Sequence, residues 1–238
     1  MRDLLLRFIN ALSMKPDTHG ISEAPTDLTL LEGYSITGLQ VLEKLYALAQ
    51  DVVARNVPGD FVECGVWKGG SAAAVACAFR HTDRRAWLFD SFEGMSKPKP
   101  VDGAFAAQYA DALVGSEEKS REAMQIVRFP EGKCIIRKGW FSDTFTEPLP
   151  QKVSLLHIDA DWYDNVTLSL NTFYDRVAAG GIIILDDFGH WEGCREAFYD
   201  FVQQRGIKPV LERFGHTQAF WVKGRTHNRE FVGKWEIP

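Results

Sequence analysis

The sequence predicts an α/β fold, a mostly parallel seven-stranded sheet with helices on both faces and an antiparallel hairpin at its C-terminal end. Three observations carry this. The stretches Val153–Ile158 and Gly181–Leu185 are apolar at nearly every position, which suits strands buried on both faces of a parallel sheet. Between them Leu168, Leu170, Phe173, Tyr174 and Val177 fall at helical spacing, predicting a helix over 167–179 with Gly180-Gly181 as its stop. Both apolar runs end abruptly in acids, the first in Asp159, Asp161 and Asp164, the second in Asp186 and Asp187. A right-handed crossover places both carboxyl ends at one edge of the sheet. For neighbouring strands, about 4.8 Å apart, Asp159, Asp186 and Asp187 converge. Such a cluster repels itself unless a cation or shared protons hold it, and carboxylate oxygens suit Mg2+, Ca2+ or Mn2+.

With 238 residues, 45% of them hydrophobic, the chain can bury one sizeable core. We expect residues 1–33 to form an N-terminal helix and lid-like segment and 34–238 the main domain. The net charge of −5 argues against nucleic acid or an anionic membrane as partner. Cys64, Cys77, Cys134 and Cys194 lack paired spacing, so free thiols in a reducing, cytoplasmic setting are expected. The apolar run within Met1–Leu12 is interrupted by Arg7 and too short for a signal peptide or a membrane span. Its Leu5, Phe8, Ile9 and Leu12 fit a helix packing on the domain or on a second subunit, leaving a homo-oligomer open.

A turn-rich loop over 15–27 precedes a helix over 39–53 with apolar residues on one face. Asp60–Gly65 reads as a first strand, and Gly65–Ser71 as a glycine-rich turn into an Ala-rich helix over 72–79, with Ser71 as its N-cap. A turn of this kind brings bare backbone against a ligand. Its glycines, Gly65, Gly69 and Gly70, depart from the dinucleotide fingerprint, and Glu63 before them favours a cationic ligand. Arg85–Asp90 is a second strand whose terminal acid is placed to receive ribose hydroxyls. Residues 94–115 carry no period and read as a mobile loop over the site. A helix from Ser116 to about Val127 and a strand over 134–138 follow, the latter leading to Gly139, Trp140 and Phe141 at the same edge. These aromatics either flank a flat base or belong to the core. A helix over 192–203 and two strands, 208–213 and 217–223, complete the chain.

Glu63–Ser71, Asp90–Gly94, Lys138–Asp143, His157–Tyr163 and Asp186–Gly189 together resemble the macrocin O-methyltransferase family. The resemblance spans about residues 34–223. It implies a Rossmann-like class I methyltransferase fold and methyl transfer from S-adenosylmethionine to a hydroxyl of a small molecule, such as a sugar or glycosylated natural product with vicinal hydroxyls. It further implies that Glu63, Gly65, Ser71, Asp90, Ser91, Gly139, Trp140, Phe141 and Asp159 bind the cofactor. By the same resemblance Asp159, Asp186 and Asp187 hold Mg2+, and Asp161 is the catalytic base. Catechol O-methyltransferase is similar in metal arrangement, with an Asn where this chain has Asp187.

Asp161 also fits the role of a further metal ligand or of an anchor behind the ligands. His157 reads as a satisfied core histidine, and His190 as a rival base. Asp159-Ala160-Asp161 matches the D-x-D of metal-dependent glycosyltransferases, which leaves the Glu63 turn unexplained. A non-catalytic protein that binds S-adenosylmethionine is the third alternative.

Overall fold

The computed structural model describes residues 25–227. The helix expected within Met1–Leu12 lies outside them. Seven strands form one sheet: β1 (Asp60–Cys64), β2 (Ala86–Asp90), β3 (Cys134–Lys138), β4 (Val153–Ile158), β5 (Val177–Leu185), β6 (Glu212–Arg213) and β7 (Ala219–Val222). Their order is β3-β2-β1-β4-β5-β7-β6. Every pair from β3 to β5 is parallel, and β7 pairs antiparallel with both β5 and β6. The expected hairpin is present, although β6 is only two residues long.

Alternation along the strands sends side chains into two cores. Phe61, Leu88, Leu155, Ile182 and Ile184 face one core. They pack there with α1 (Leu39–Ala54), α2 (Gly70–Phe79) and α3 (Glu117–Ile126). Val62, Phe89, Leu156, Ile158 and Ile183 face the other, with α5 (Tyr163–Phe173) and α6 (Glu192–Arg205). A one-turn helix, α4 (Phe141–Thr144), follows β3. With β1, β2, β4 and most of β5 covered on both faces, their carboxyl ends are left as the place where polar groups can meet.

Several expectations are corrected. The helix after β4 begins at Tyr163 and ends at Phe173, and Val177 already belongs to β5. Gly180-Gly181 therefore lies inside a strand: Gly180 takes φ +81°, and a Cβ on Gly181 would press on Val177 and on the Ala178 and Ser154 carbonyls. Ser71 is not the N-cap of α2. Gly69 in the left-handed region holds that position, and Ser71 is a buried residue of the first turn. Residues 94–115 are pinned rather than loose, with short 3-10 turns at Pro100–Asp102 and Ala106–Tyr109. Buried Asp102 fastens them, accepting from the amides of Lys99 and Tyr163 at 2.7 Å each.

Thr26–Tyr34, partly assigned to a loop by the sequence, is a 3-10 helix. Its Leu28 and Leu31 are buried in the first core, so packing is continuous across the boundary drawn at residue 33. All four cysteines are free. Among the described residues no helix is long and apolar enough to cross a membrane.

Candidate active site

Asp159, Asp186 and Asp187 meet where β4 and β5 end, with one carboxylate oxygen of each within 4.8 Å of the others. The sheet dictates this: β4 and β5 are parallel neighbours, paired Ile158 to Leu185, Asp159 and Asp186 are the next residues on each, and Asp187 follows Asp186. Burial first, then the charges of Asp186 and Asp187, pushes the Asp159 carboxyl well above its ordinary value. Burial, Asp161 and Asp186 do the same to Asp187. Asp186 is held from two sides. Its Oδ1 lies 3.2 Å from His157 Nε2, and its Oδ2 accepts from Gln218 Nε2 at 3.0 Å.

Asp161 stands beside the three with φ +56°, a left-handed conformation that Asp tolerates better than most residues. Its amide donates to Asp187 Oδ2 at 3.3 Å, and its Oδ1 accepts from the Trp191 indole at 3.0 Å. Its carboxyl is pushed up to about 7, chiefly by burial, with the Trp191 hydrogen bond opposing. His190, the rival base, is exposed, does not line the cleft described below, and packs edge-on against Trp191.

The glycine-rich turn is required first by the protein's own backbone. A Cβ on Gly65 would overlap the Asp159 carbonyl oxygen, one on Gly69 would meet Ser120, and one on Gly70 the Tyr34 carbonyl. Asp90 caps the turn. Its Oδ2 accepts from the amides of Val66 at 2.6 Å and Trp67 at 2.8 Å, and its Oδ1 from Phe92 at 2.6 Å. The expected acceptor of ribose hydroxyls is thus also the clasp that shapes the turn; each carboxylate oxygen keeps lone-pair capacity for a ligand.

These groups line one cleft enclosing about 1020 Å³ of space open to solvent. Of the site residues read from the sequence, Gly65, Ser71, Asp90, Ser91, Gly139, Trp140, Phe141, Asp159, Asp161, Asp186 and Asp187 lie on its wall. Glu63 does not, and the expectation that its carboxylate meets the ligand directly is corrected. It is fully buried with Oε1 2.7 Å from His157 Nδ1, because its strand parity turns it into the sheet rather than the cleft. Phe141 stacks on Phe145 at 5.0 Å and 5°, while Trp140 is 37% exposed at the rim.

Tyr34–Thr37 also lines the cleft, as do Met95, Ser96, Leu113 and Asn165. Asn165 and Ser96 are hydrogen-bonded to each other at 3.2 Å, tying the 94–115 segment to α5. The sequence reading missed these four together with Gln218 and Trp191. Only Asn165, at the start of a helix just after the acids, carried a local signal.

The residues present fit both groups that the family resemblance implies. Three hard oxygen donors whose mutual repulsion a divalent cation would relieve suit Mg2+. The other end of the cleft offers aromatic walls and capped turn amides, suited to a flat base and to a ligand without phosphates.

Comparison with known proteins agrees. The family model described as Macrocin-O-methyltransferase (TylF) matches residues 16–223. A tetracenomycin-C 4'-O-methyltransferase of Streptomyces olivaceus, whose named substrate carries a dimethoxy-rhamnosyl group, is 31% identical over 196 residues, covering 79% of this chain and 75% of that protein. Mycinamicin III 3''-O-methyltransferase of Micromonospora griseorubida is 27% identical over 198 residues, 79% of this chain and 78% of its own. The solved structure of the O-methyltransferase NovP superposes with a TM-score of 0.74 at 28% identity, covering 81% of this chain and 83% of that one. This chain therefore belongs to the macrocin O-methyltransferase family and is an S-adenosylmethionine-dependent O-methyltransferase.

Proposed function

We propose that the enzyme is metal-dependent and methylates a hydroxyl of a sugar or glycosylated natural product that presents two neighbouring oxygens. The observation that carries this reading is the convergence of the Asp159, Asp186 and Asp187 carboxylates within 4.8 Å on the cleft wall, beside Asp161. The relatives' named substrates, a rhamnosyl tetracenomycin and mycinamicin III, support the acceptor class.

Asp159, Asp186 and Asp187 would hold the cation. A divalent cation there supplies Lewis acidity, aligning adjacent oxygens and lowering the pKa of a hydroxyl. The methyl group leaves the sulfonium of S-adenosylmethionine for the acceptor oxygen in line, so the wall's first task is positioning. Trp140 and Phe141 flank the base, and Asp90 and Ser91 stand at the end of β2 for the ribose. Asp161 takes the acceptor's proton. The Trp191 indole holds the carboxylate through Oδ1, and both oxygens keep lone-pair capacity for the proton. The lid-like role of residues 1–33 belongs to this proposal, supported by Tyr34–Thr37 lying on the cleft wall.

The test is methyl transfer from S-adenosylmethionine to a panel of glycosylated acceptors, read by mass spectrometry, in Mg2+ and in chelator. Product only with Mg2+ is expected. Full turnover in chelator would remove the metal, and no product with any acceptor would favour a protein that binds the cofactor without catalysis.

A further inference from the structure

A buried hydrogen-bonded chain lies behind the cleft wall, and the reaction described above uses only its Asp186 end. The register of the sheet builds it. Glu63 of β1 pairs with His157 of β4, and His157 with Ile184 of β5, two residues before Asp186. Side chains of matching parity share a face, so the His157 ring receives Glu63 from one side and Asp186 from the other. Its Nδ1 lies 2.7 Å from Glu63 Oε1, and its Nε2 3.2 Å from Asp186 Oδ1. Both His157 and Glu63 are wholly inaccessible. Three buried polar groups cost desolvation that apolar side chains in their place would avoid.

The two ends belong to different halves of the site. Glu63 stands two residues before Gly65, where the cofactor turn begins. Its Oε2 has no donor at hydrogen-bond geometry, although the Ser71 hydroxyl is close enough to favour its charge. Asp186 is one of the three acids placed for the cation.

We propose that His157 is a positioning residue that couples these halves, so that a ligand at the cofactor end of the cleft and a cation at the acidic end tighten each other's binding. The proposal rests on the cofactor and cation reading above. A ligand seated against Gly65 and Ser71 restrains the end of β1 and with it the buried Glu63 carboxylate, Glu63 fixes the ring, and the ring fixes the Asp186 carboxylate; a cation on Asp186 acts along the same chain in reverse. The second ligand then meets a group already ordered. Linkage makes the effect equal in both directions. S-adenosylhomocysteine carries no sulfonium to repel the cation, so the diagnostic is the loss of mutual tightening when the ring is removed.

The experiment is isothermal titration of the full chain with S-adenosylhomocysteine, in chelator and at saturating Mg2+, and with Mg2+ in the presence and absence of S-adenosylhomocysteine. In the wild type each ligand is expected to tighten the other by the same factor, at least about 5-fold. In His157→Leu both affinities weaken and the factor falls to about 1. A histidine that merely filled space would weaken both and leave the factor unchanged. An unchanged factor in the variant, or no coupling in the wild type, overturns the proposal. Failure of the wild type to bind one of the two ligands overturns the cofactor and cation reading, and the coupling with it. Should His157→Leu fail to fold, the wild-type His157 ring resonances decide. Movement of the Nδ1 nitrogen resonance by Mg2+ and of the Nε2 nitrogen resonance by S-adenosylhomocysteine supports the coupling, and a ring that answers only the nearer ligand refutes it.

Discussion

Asp161→Asn is expected to make the protein more stable and far less active at once. In the folded chain burial, together with Asp186, Asp90 and Asp102, holds the Asp161 carboxyl at about 7 against an ordinary 3.8, with only the Trp191 indole pulling it down. The folded state therefore binds more protons than the unfolded one between those values, and stability falls as pH rises from 3.8 through about 7. The whole gap is equivalent to about 4 kcal/mol. Asp161 lines a cleft open to water, and screening brings the working figure to about 2 kcal/mol. Asn keeps an oxygen for the indole and sheds the charge.

At pH 8 in chelator the variant should melt about 4–8 °C above the wild type, at roughly 2–4 °C per kcal/mol for a chain of this size. The gap should shrink as pH falls from about 7 and vanish below 3.8, where the acid is protonated in both states. Turnover with Mg2+ and acceptor should drop by about 10²–10⁴-fold. The deficit should shrink at alkaline pH, where a metal-acidified hydroxyl needs less help. Equal melting temperatures at pH 8 would refute the electrostatic reasoning. Near-normal turnover would refute the assignment of the base.

Mg2+ at about a hundred times its Kd should stabilise the wild type by about 2.7 kcal/mol, or about 5–11 °C in a thermal melt. Asp159→Asn should abolish that response, and a shift of equal size in the variant would count against the triad. In chelator Asp187→Asn should melt at or above the wild type, because it relieves repulsion yet still accepts from the Asp161 amide; unfolding of this variant would make the carboxylate structural. Gly65→Ala should cost more than about 3 kcal/mol, since its Cβ would fall on the Asp159 backbone at φ +88°; a soluble variant with an unchanged melt would show that the crossing relaxes. Asp90→Ala strands the amides of Val66, Trp67 and Phe92, and should weaken S-adenosylhomocysteine by about tenfold or more in titration calorimetry. Unchanged affinity would confine Asp90 to the fold.

Much of this was legible because parallel strands leave a strong signature. Val153–Ile158 is buried at every position, Ser154 and His157 included, and the acids that end it had nowhere to go but the edge. Boundaries were less legible where two signals compete. Gly180-Gly181 is a good helix stop, but here it relieves crowding inside β5, and only the strand's neighbours reveal that. The order in 94–115 depends on Asp102 reaching the start of α5, a contact across 61 residues with no local period to betray it. Gln218 approaches Asp186 from the start of β7, and its role is set by sheet order alone. Glu63 was recognised as special for its place before the turn, but which way it points follows from strand parity against β4, not from the motif.

The hydrogen bonds of Asp90 bear on which ligands the cleft can take. A turn that cradles phosphates does so with amides left free at a helix start. Here the amides of Val66 and Trp67 are already spent on a carboxylate, which also puts a negative charge where a phosphate would sit. A D-x-D enzyme using a nucleotide sugar needs a diphosphate between its cation and its nucleoside. This cleft instead joins an acidic cluster to a second acidic end, and among the described residues no arginine or lysine lines the wall between them. A diphosphate would be repelled at the turn, whereas a sulfonium and an ammonium group are drawn to both ends. The same carboxylate that shapes the turn therefore selects a cationic methyl donor over a phosphorylated sugar donor. Asp90→Asn, which keeps two oxygen-to-amide bonds but removes the charge, should weaken S-adenosylmethionine more than it alters the fold. If instead it left that affinity intact and admitted a nucleoside diphosphate no better than before, charge selection at the turn would be the wrong account.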